Sequence, residues 1–345
     1  MALETRFTRT GSKLLYRGQP VRLAGIYPPK TSDAGIEALD VDPAPIFDQL
    51  RTRGNNYFRF PMLAYYHYDE PGFAYSPYLR DPNGKWKIDS FNANYFNRLR
   101  AMIEKAAARG IAVQITLFDS TGLEYETSDR EERWPRNPWN AANNYFNLIH
   151  DEKAPVGGIP EFYHVQFNAK QKELQALFIQ HVVALTKDYW NVFYEIMNEP
   201  GGVPANQRDR VAWADWVTGE IDKETLGARL IFYNDFTGTA ANGPGGDVNY
   251  WRANRATFTS YGRLDGVIFH GDPAITDPND THYDFRTEEI FLVSTDATPK
   301  TFQDDPVVNG KRAKRALDLG MPYQAETLKL TVADALKTLN PTDLV

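Results

Sequence analysis

The stretch Val192 to Pro200 reads Val-Phe-Tyr-Glu-Ile-Met-Asn-Glu-Pro and ends in an amide, a carboxyl and a proline in succession. Its first half alternates β-branched and aromatic residues, as a half-buried strand does. Pro200 offers no N–H to a neighbouring strand, so pairing stops there and Asn198 and Glu199 fall at the strand tip. In a barrel of parallel strands, that C-terminal rim is where catalytic side chains sit. A carboxyl held there can protonate a leaving oxygen if burial or a second carboxylate raises its pKa. Two residues offer that second carboxylate: Asp296, after Phe-Leu-Val-Ser-Thr, and Glu326, after Tyr-Gln-Ala. Arg59, near the tip of Asn56–Pro61, would hold such a partner ionised, since an opposite charge within ~4–6 Å favours the charged form. Plainer readings stand beside these. Asp296 can cap the turn into Ala-Thr-Pro, and Glu326 can form a salt bridge with Arg59.

The elements that must position these groups alternate along the chain. Short apolar runs at Val21–Ile26, Asn56–Pro61, Ile111–Phe118, Val192 onward, Leu230–Tyr233, Gly266–Phe269, Ile290–Ser294 and Tyr323–Ala325 read as eight strands. Between them, helical spacing appears at Ile46–Gly54, Asp89–Arg109, Ala169–Tyr189, Gln207–Leu226, Tyr250–Tyr261 and Val308–Leu319. Eight strands in order, with helices in six of the seven intervals between them, predict an α/β fold, a single (β/α)8 barrel over residues 1–345 with an N-terminal hairpin at about 7–20. The strand tips then carry Arg59, Asp119, Asn198, Asn234, His270, Asp296 and Glu326. His181 lies in the apolar stripe Leu174, Leu177, Phe178, Val182, Leu185 and is expected to be a core or interface histidine. Two long loops, Met62–Lys87 and Ser120–Asn168, follow strands two and three on the active rim. Their aromatics include Tyr65, Tyr66, Tyr68, Phe73, Tyr75, Tyr78, Trp86, Trp134, Trp139, Tyr145 and Phe146. Such rings either pack against one another or line a cleft as flat stacking platforms.

Composition narrows the classes of function. The net charge of −7 is spread over interspersed acids and bases, which provides no basic face for nucleic acid. No apolar run approaches the roughly 20 residues of a membrane span. The absence of cysteine excludes disulfides, thiolate metal sites and cysteine nucleophiles. No His-X-His pair or clustered His/Asp spacing occurs at strand ends, which disfavours a metal-dependent hydrolase, and no cofactor or metal is expected. The glycine-rich segment Gly238–Gly246 lacks a following Lys-Ser/Thr or strand-to-helix phosphate turn. Met1–Tyr16 lacks the apolar core of a signal peptide, which suits a cytoplasmic chain or a secreted one whose signal has been removed.

The Asn-Glu-Pro ending resembles the fourth strand of the glycoside hydrolases of the large retaining (β/α)8 clan, cellulase-like family 5 enzymes especially. Phe91–Leu117 is similar to that family's second helix and third strand, Asn56–Pro61 to its second strand, and Gly266–His270 to its sixth. The resemblance implies Glu199 as general acid/base, Asn198 on the sugar 2-hydroxyl, Arg59 supporting the nucleophile and His270 on the substrate. It departs at three places. Asp119 stands where the family has a strand-three His, Asp296 where it has its nucleophilic Glu, and Glu326 where its last strand usually carries Trp. A retaining glycosidase sets its carboxyls about 5–5.5 Å apart and an inverting one roughly 6.5–9.5 Å. The shorter Asp leaves both spacings open. The expected activity is hydrolysis of a β-linked glycan, and the alternative is a carbohydrate-binding barrel that has lost its nucleophile.

Overall fold

The computed structural model describes residues 6–11, 13–26, 42–52, 54–62, 76–123, 134–150, 160–165, 168–198, 207–234, 265–270, 290–294 and 323–325. An antiparallel ribbon comes first, formed by β1 (Phe7–Thr10), β2 (Lys13–Tyr16) and β3 (Gln19–Pro20). The barrel begins with β4 (Ala24–Ile26) and β5 (Tyr57–Pro61). A hairpin, β6 (Tyr78–Arg80) and β7 (Trp86–Phe91), intervenes before β8 (Ala112–Asp119). The barrel continues through β9 (Val192–Asn198), β10 (Ile231–Asn234), β11 (Gly266–His270), β12 (Ile290–Ser294) and β13 (Tyr323–Ala325). All eight barrel strands pair in parallel, and β13 returns to β4 to close the cylinder. The chain is a (β/α)8 barrel.

Four helices connect the described strands: α1 (Ala44–Thr52), α2 (Ala93–Ala108), α3 (Ala169–Thr186) and α4 (Gln207–Thr225). Local chemistry sets their ends. The Asn92 side chain accepts from the backbone N–H groups of Asn94 and Tyr95, and the Asn168 side chain from that of Gln171. Gly110, at φ 67°, lets the chain leave α2 in a conformation that costs other residues more. Tyr95, Phe96, Leu99, Met102, Ile103 and Ala106 recur at three- and four-residue spacing and form the buried face of α2. Trp213, Val217 and Ile221 do the same for α4, and the Trp213 indole N–H donates to Gln175 Oε1 of α3 at 2.7 Å. No helix of the described residues is long and apolar enough to cross a membrane.

The structure differs from the sequence expectations in several places. Asp89 to Phe91 belongs to β7, not to the helix, because the cap is Asn92. The loop after β5 thus carries a hairpin, turned at Asp81–Lys85 with Gly84 at φ 84°. The loop after β8 carries 3-10 turns at Ser120–Leu123, Trp134–Arg136, Ala141–Asn143 and Pro160–Tyr163. Strand one begins at Ala24 and not Val21, since Gln19 and Pro20 complete the ribbon. Strand β9 is buried along its whole length, not half-buried, as parallel strands covered on both faces are. Leu177 is exposed, although it was placed in the apolar stripe of α3. His181 stacks on Phe91 at 4.1 Å and meets Phe96 edge-on at 4.4 Å, an interface histidine whose pKa burial lowers. The expected helices at 250–261 and 308–319 lie outside the described residues.

The described loop aromatics mostly turn inward. Tyr78, Trp86, Trp134 and Trp139 are buried, and Trp139 packs edge-on against Tyr78 and Phe162. Tyr145, at 55% exposure, is the large exposed ring among them. Tyr65, Tyr66, Tyr68, Phe73 and Tyr75 lie outside the described residues.

The barrel interior is layered. At its N-terminal end, Leu23, Tyr57, Ala112, Phe193, Phe232 and Ile268 form an apolar cluster, which Phe7 and Leu14 of the ribbon cover. Close packing here leaves no room at Gly25, opposite Tyr57 in the ladder, where a Cβ would lie 1.8 Å from the Tyr57 carbonyl oxygen. Backbone cannot yield as a flexible side chain does. Gly25→Ala is expected to destabilise the fold by at least the ~1–3 kcal/mol typical of overpacking. Gly219→Ala, on the exposed face of α4 where a Cβ meets nothing within 4 Å, should stabilise by roughly 0.5–1 kcal/mol. Urea denaturation of the two variants side by side checks both signs.

Candidate active site

Above the apolar cluster the barrel interior becomes polar. Arg59 of β5 and Glu195 of β9 are both fully buried (0% exposed). Arg59 grips the carboxylate with two donors, Nε to Oε2 at 2.6 Å and Nη2 to Oε1 at 2.5 Å. Glu195 Oε2 accepts two more hydrogen bonds, from Gln114 Nε2 at 2.7 Å and Thr116 Oγ1 at 2.5 Å. The ladder brings these residues together, because Arg59 pairs with Gln114 and Thr116 with Glu195. The Tyr57 hydroxyl donates to Gln114 Oε1 at 2.8 Å, and burial pushes its pKa well above the ordinary value, so it stays a donor. That assigns the Gln114 amide: its oxygen faces Tyr57 and its N–H faces Glu195.

Among the described residues, the network reaches the rim through Asn198. Arg59 Nη2 also donates to Asn198 Oδ1 at 2.7 Å, and Asn198 Nδ2 donates to Asp119 Oδ1 at 3.2 Å. Asp119 and Asn198 face each other at the last rung between β8 and β9. Of the sequence-predicted site residues, the structure therefore gathers Arg59, Asn198 and Asp119. Arg59 sits mid-strand and is engaged by Glu195 and Asn198, and its expected pairing with Asp296 or Glu326 falls outside the described residues. Asn234 and His270 end β10 and β11, at the same end of the parallel barrel as Asn198. Glu199, Asp296 and Glu326 lie outside the described residues. Glu199 follows Asn198 directly in sequence, Asp296 comes two residues after β12, and Glu326 one after β13.

Sequence reasoning missed Glu195, Gln114, Thr116 and Tyr57. The available signal was a charged residue in the middle of Val-Phe-Tyr-Glu-Ile-Met, since a charge inside an apolar strand needs a partner. Among the described residues, no group of three or more His, Asp or Glu side chains is placed to hold a metal ion.

A closed parallel barrel with amide, carboxylate and guanidinium gathered toward its C-terminal rim is the architecture of a TIM-barrel enzyme. The model of the cellulase family, glycosyl hydrolase family 5, matches residues 18–232, and the chain belongs to that family of glycoside hydrolases. The match ends within β10, before the strands leading to His270, Asp296 and Glu326. No match was found among curated protein sequences. The barrel is similar to the endo-1,4-beta-mannanase of Rhizomucor miehei, with a TM-score of 0.62, 16% identity, and 93% of this chain and 90% of that one covered. It is also similar to the beta-mannanase of the blue mussel Mytilus edulis (TM-score 0.58, 11% identity, 98% of each chain). A third similar structure is a family 5 mannosidase mutant from Rhizomucor miehei in complex with mannosyl-fructose (TM-score 0.57, 14% identity, 94% of this chain and 86% of that one).

The buried pair has a direct consequence for stability. Arg59→Met would leave the Glu195 carboxylate without its counter-charge in the barrel. Removing one partner of such a pair is expected to lower the unfolding free energy by about 3–5 kcal/mol. Urea denaturation measures the loss, and Arg109→Met, which breaks an exposed pair with Asp48, should cost far less.

Proposed function

We propose that the chain hydrolyses a β-linked oligo- or polysaccharide with retention of configuration, with Glu199 as general acid/base and Asp296 as nucleophile. The observation that carries this reading is Asn198. It ends β9 at the rim, held between Arg59 and Asp119, and Glu199 comes next in the chain. The Asp296 carboxylate attacks the anomeric carbon while Glu199 gives its proton to the departing glycosidic oxygen. Glu199 then takes a proton from water as that water displaces Asp296, which restores both groups. Asn198 holds the sugar 2-hydroxyl, and Asp119, Asn234 and His270 supply further polar contacts from neighbouring strand ends, with Arg59 beneath them. Glu326, with its longer reach, is the rival nucleophile. β-Mannan is the first substrate to try, because the similar solved structures include mannanases from a fungus and a mussel. One feature favours a second reading, a barrel that binds glycan without cleaving it: Asp296 is one methylene shorter than the family's Glu.

Glu199→Gln is expected to reduce hydrolysis of an unactivated glycan by ~10²–10⁴-fold while binding persists, because an amide cannot donate the proton. Normal turnover by that purified variant ends the assignment. Asp296→Ala and Glu326→Ala, each assayed on an activated glycoside with added azide, separate the two nucleophile candidates. The variant lacking the true nucleophile should regain activity and give a glycosyl azide of inverted configuration. Rescue of Glu326→Ala alone makes Asp296 a turn residue. A wild type inactive on every glycan it binds establishes the binding barrel.

A further inference from the structure

We infer that Glu195 is a positioning residue of this site, orienting Arg59 so that Arg59 and Asp119 together fix the amide of Asn198. The inference rests on the proposed role of Asn198 at the sugar and deepens it. Glu195 lies three residues before Asn198 on β9, fully buried in the barrel. Both of its oxygens are engaged, Oε1 by Arg59 Nη2, and Oε2 by Arg59 Nε, Gln114 Nε2 and Thr116 Oγ1. Donors from two neighbouring strands therefore fix the carboxylate plane, and a two-point contact transmits that plane to the guanidinium. Nη2 of the same guanidinium donates to Asn198 Oδ1 at 2.7 Å, and the amide nitrogen faces Asp119 at 3.2 Å. A flipped amide would turn its N–H groups toward Arg59 and its oxygen toward Asp119. Charge alone thus selects one of two orientations that packing hardly distinguishes.

Glu195→Gln keeps the volume but turns one acceptor into a donor among four donors, so the two-point grip on Arg59 is lost. The orientation of Asn198 then relaxes at the rim, where a misplacement of about 1 Å can cost on the order of a hundredfold in rate.

Two measurements on the full chain test this. The first is nitrogen-15 NMR of side-chain amides, with the Asn198 pair identified as the one missing from Asn198→Ala. In the wild type that pair should be resolved and protected from solvent. In Glu195→Gln it should shift and exchange at least about tenfold faster at a temperature where the variant remains folded, as expected when a buried hydrogen bond opens locally. An unchanged Asn198 pair in a folded Glu195→Gln variant overturns the inference. If Glu195→Gln does not fold, Thr116→Val removes one donor without stranding a charge. It should move the same pair in the same direction, and no movement overturns the inference.

The second measurement is a double-mutant cycle in kcat. Glu195→Gln should lower kcat on the order of a hundredfold in the wild-type background and by less than about threefold in Asn198→Ala, with KM nearly constant. Additive losses overturn the inference. An inactive wild type refutes the proposed hydrolysis, and the NMR arm then decides the inference alone.

Discussion

A full positive and a full negative charge sit inside the barrel of this protein, and neither is tolerable there without the other. Desolvating an ion costs several kcal/mol even after relaxation, so the fold must deliver Arg59 and Glu195 to each other. They come from strands separated in the barrel by β8, so β8 must lie in one register. That register sets Gln114 beside Arg59 and Thr116 beside Glu195. A slip of one residue in β8 would turn Gln114 and Thr116 away from the carboxylate and expose it to apolar side chains. The buried pair therefore acts as a register lock for β5, β8 and β9. The positions of Asp119 and Asn198 at the last rung follow from it.

The remainder of the interior is graded along the barrel axis. The ribbon β1–β3 covers an aromatic layer in which Tyr57 stacks on Phe193 at 6.0 Å and Phe193 meets Phe232 at 5.3 Å. Tyr57 then spans two layers, its ring in the apolar one and its hydroxyl on Gln114 in the polar one. This buried apolar layer lowers the local dielectric, which strengthens the polar contacts just above it. Polarity thus rises toward the rim at which substrate-contacting groups of such barrels are found.

Much of this architecture was legible in the sequence because each barrel strand is a short apolar run bounded by turn residues or helices. The ends were less legible. Asp89 and Ser90 look like a helix start, yet Asn92 makes the capping hydrogen bonds, and the preceding residues pair with Tyr78–Arg80. Leu177 fits the apolar stripe of α3 by type, but Leu174, Phe178 and Val182 already fill the face toward the barrel. At the site, the tripeptide ending at Pro200 marks Asn198 and Glu199 but not Glu195, three residues before Asn198 on the same strand. Glu195 could have been flagged as a charge needing a partner. Which arginine it meets depends on barrel closure and register, which no local pattern encodes. The pairing of Arg59 with Glu195 escaped notice for the same reason, and the partners expected for it, Asp296 and Glu326, lie outside the described residues.

At the tip of β8, where the resemblance leads one to expect a His, the chain carries Asp119, and that residue makes physical sense beside this network. The two ends of an Asn side chain are nearly the same size, so van der Waals packing cannot choose between them. Hydrogen-bonding chemistry can, provided the neighbours differ in kind. Here Asn198 has a guanidinium at its oxygen and a carboxylate at its nitrogen. An imidazole can donate or accept according to its tautomer, whereas an ionised carboxylate only accepts. Asp119 therefore removes an ambiguity that a histidine would leave. The cost of reversing the amide rises from one mismatched contact to two, each on the order of 1–3 kcal/mol when buried. The rim amide is held in one orientation by charges that the barrel's own register brings into place.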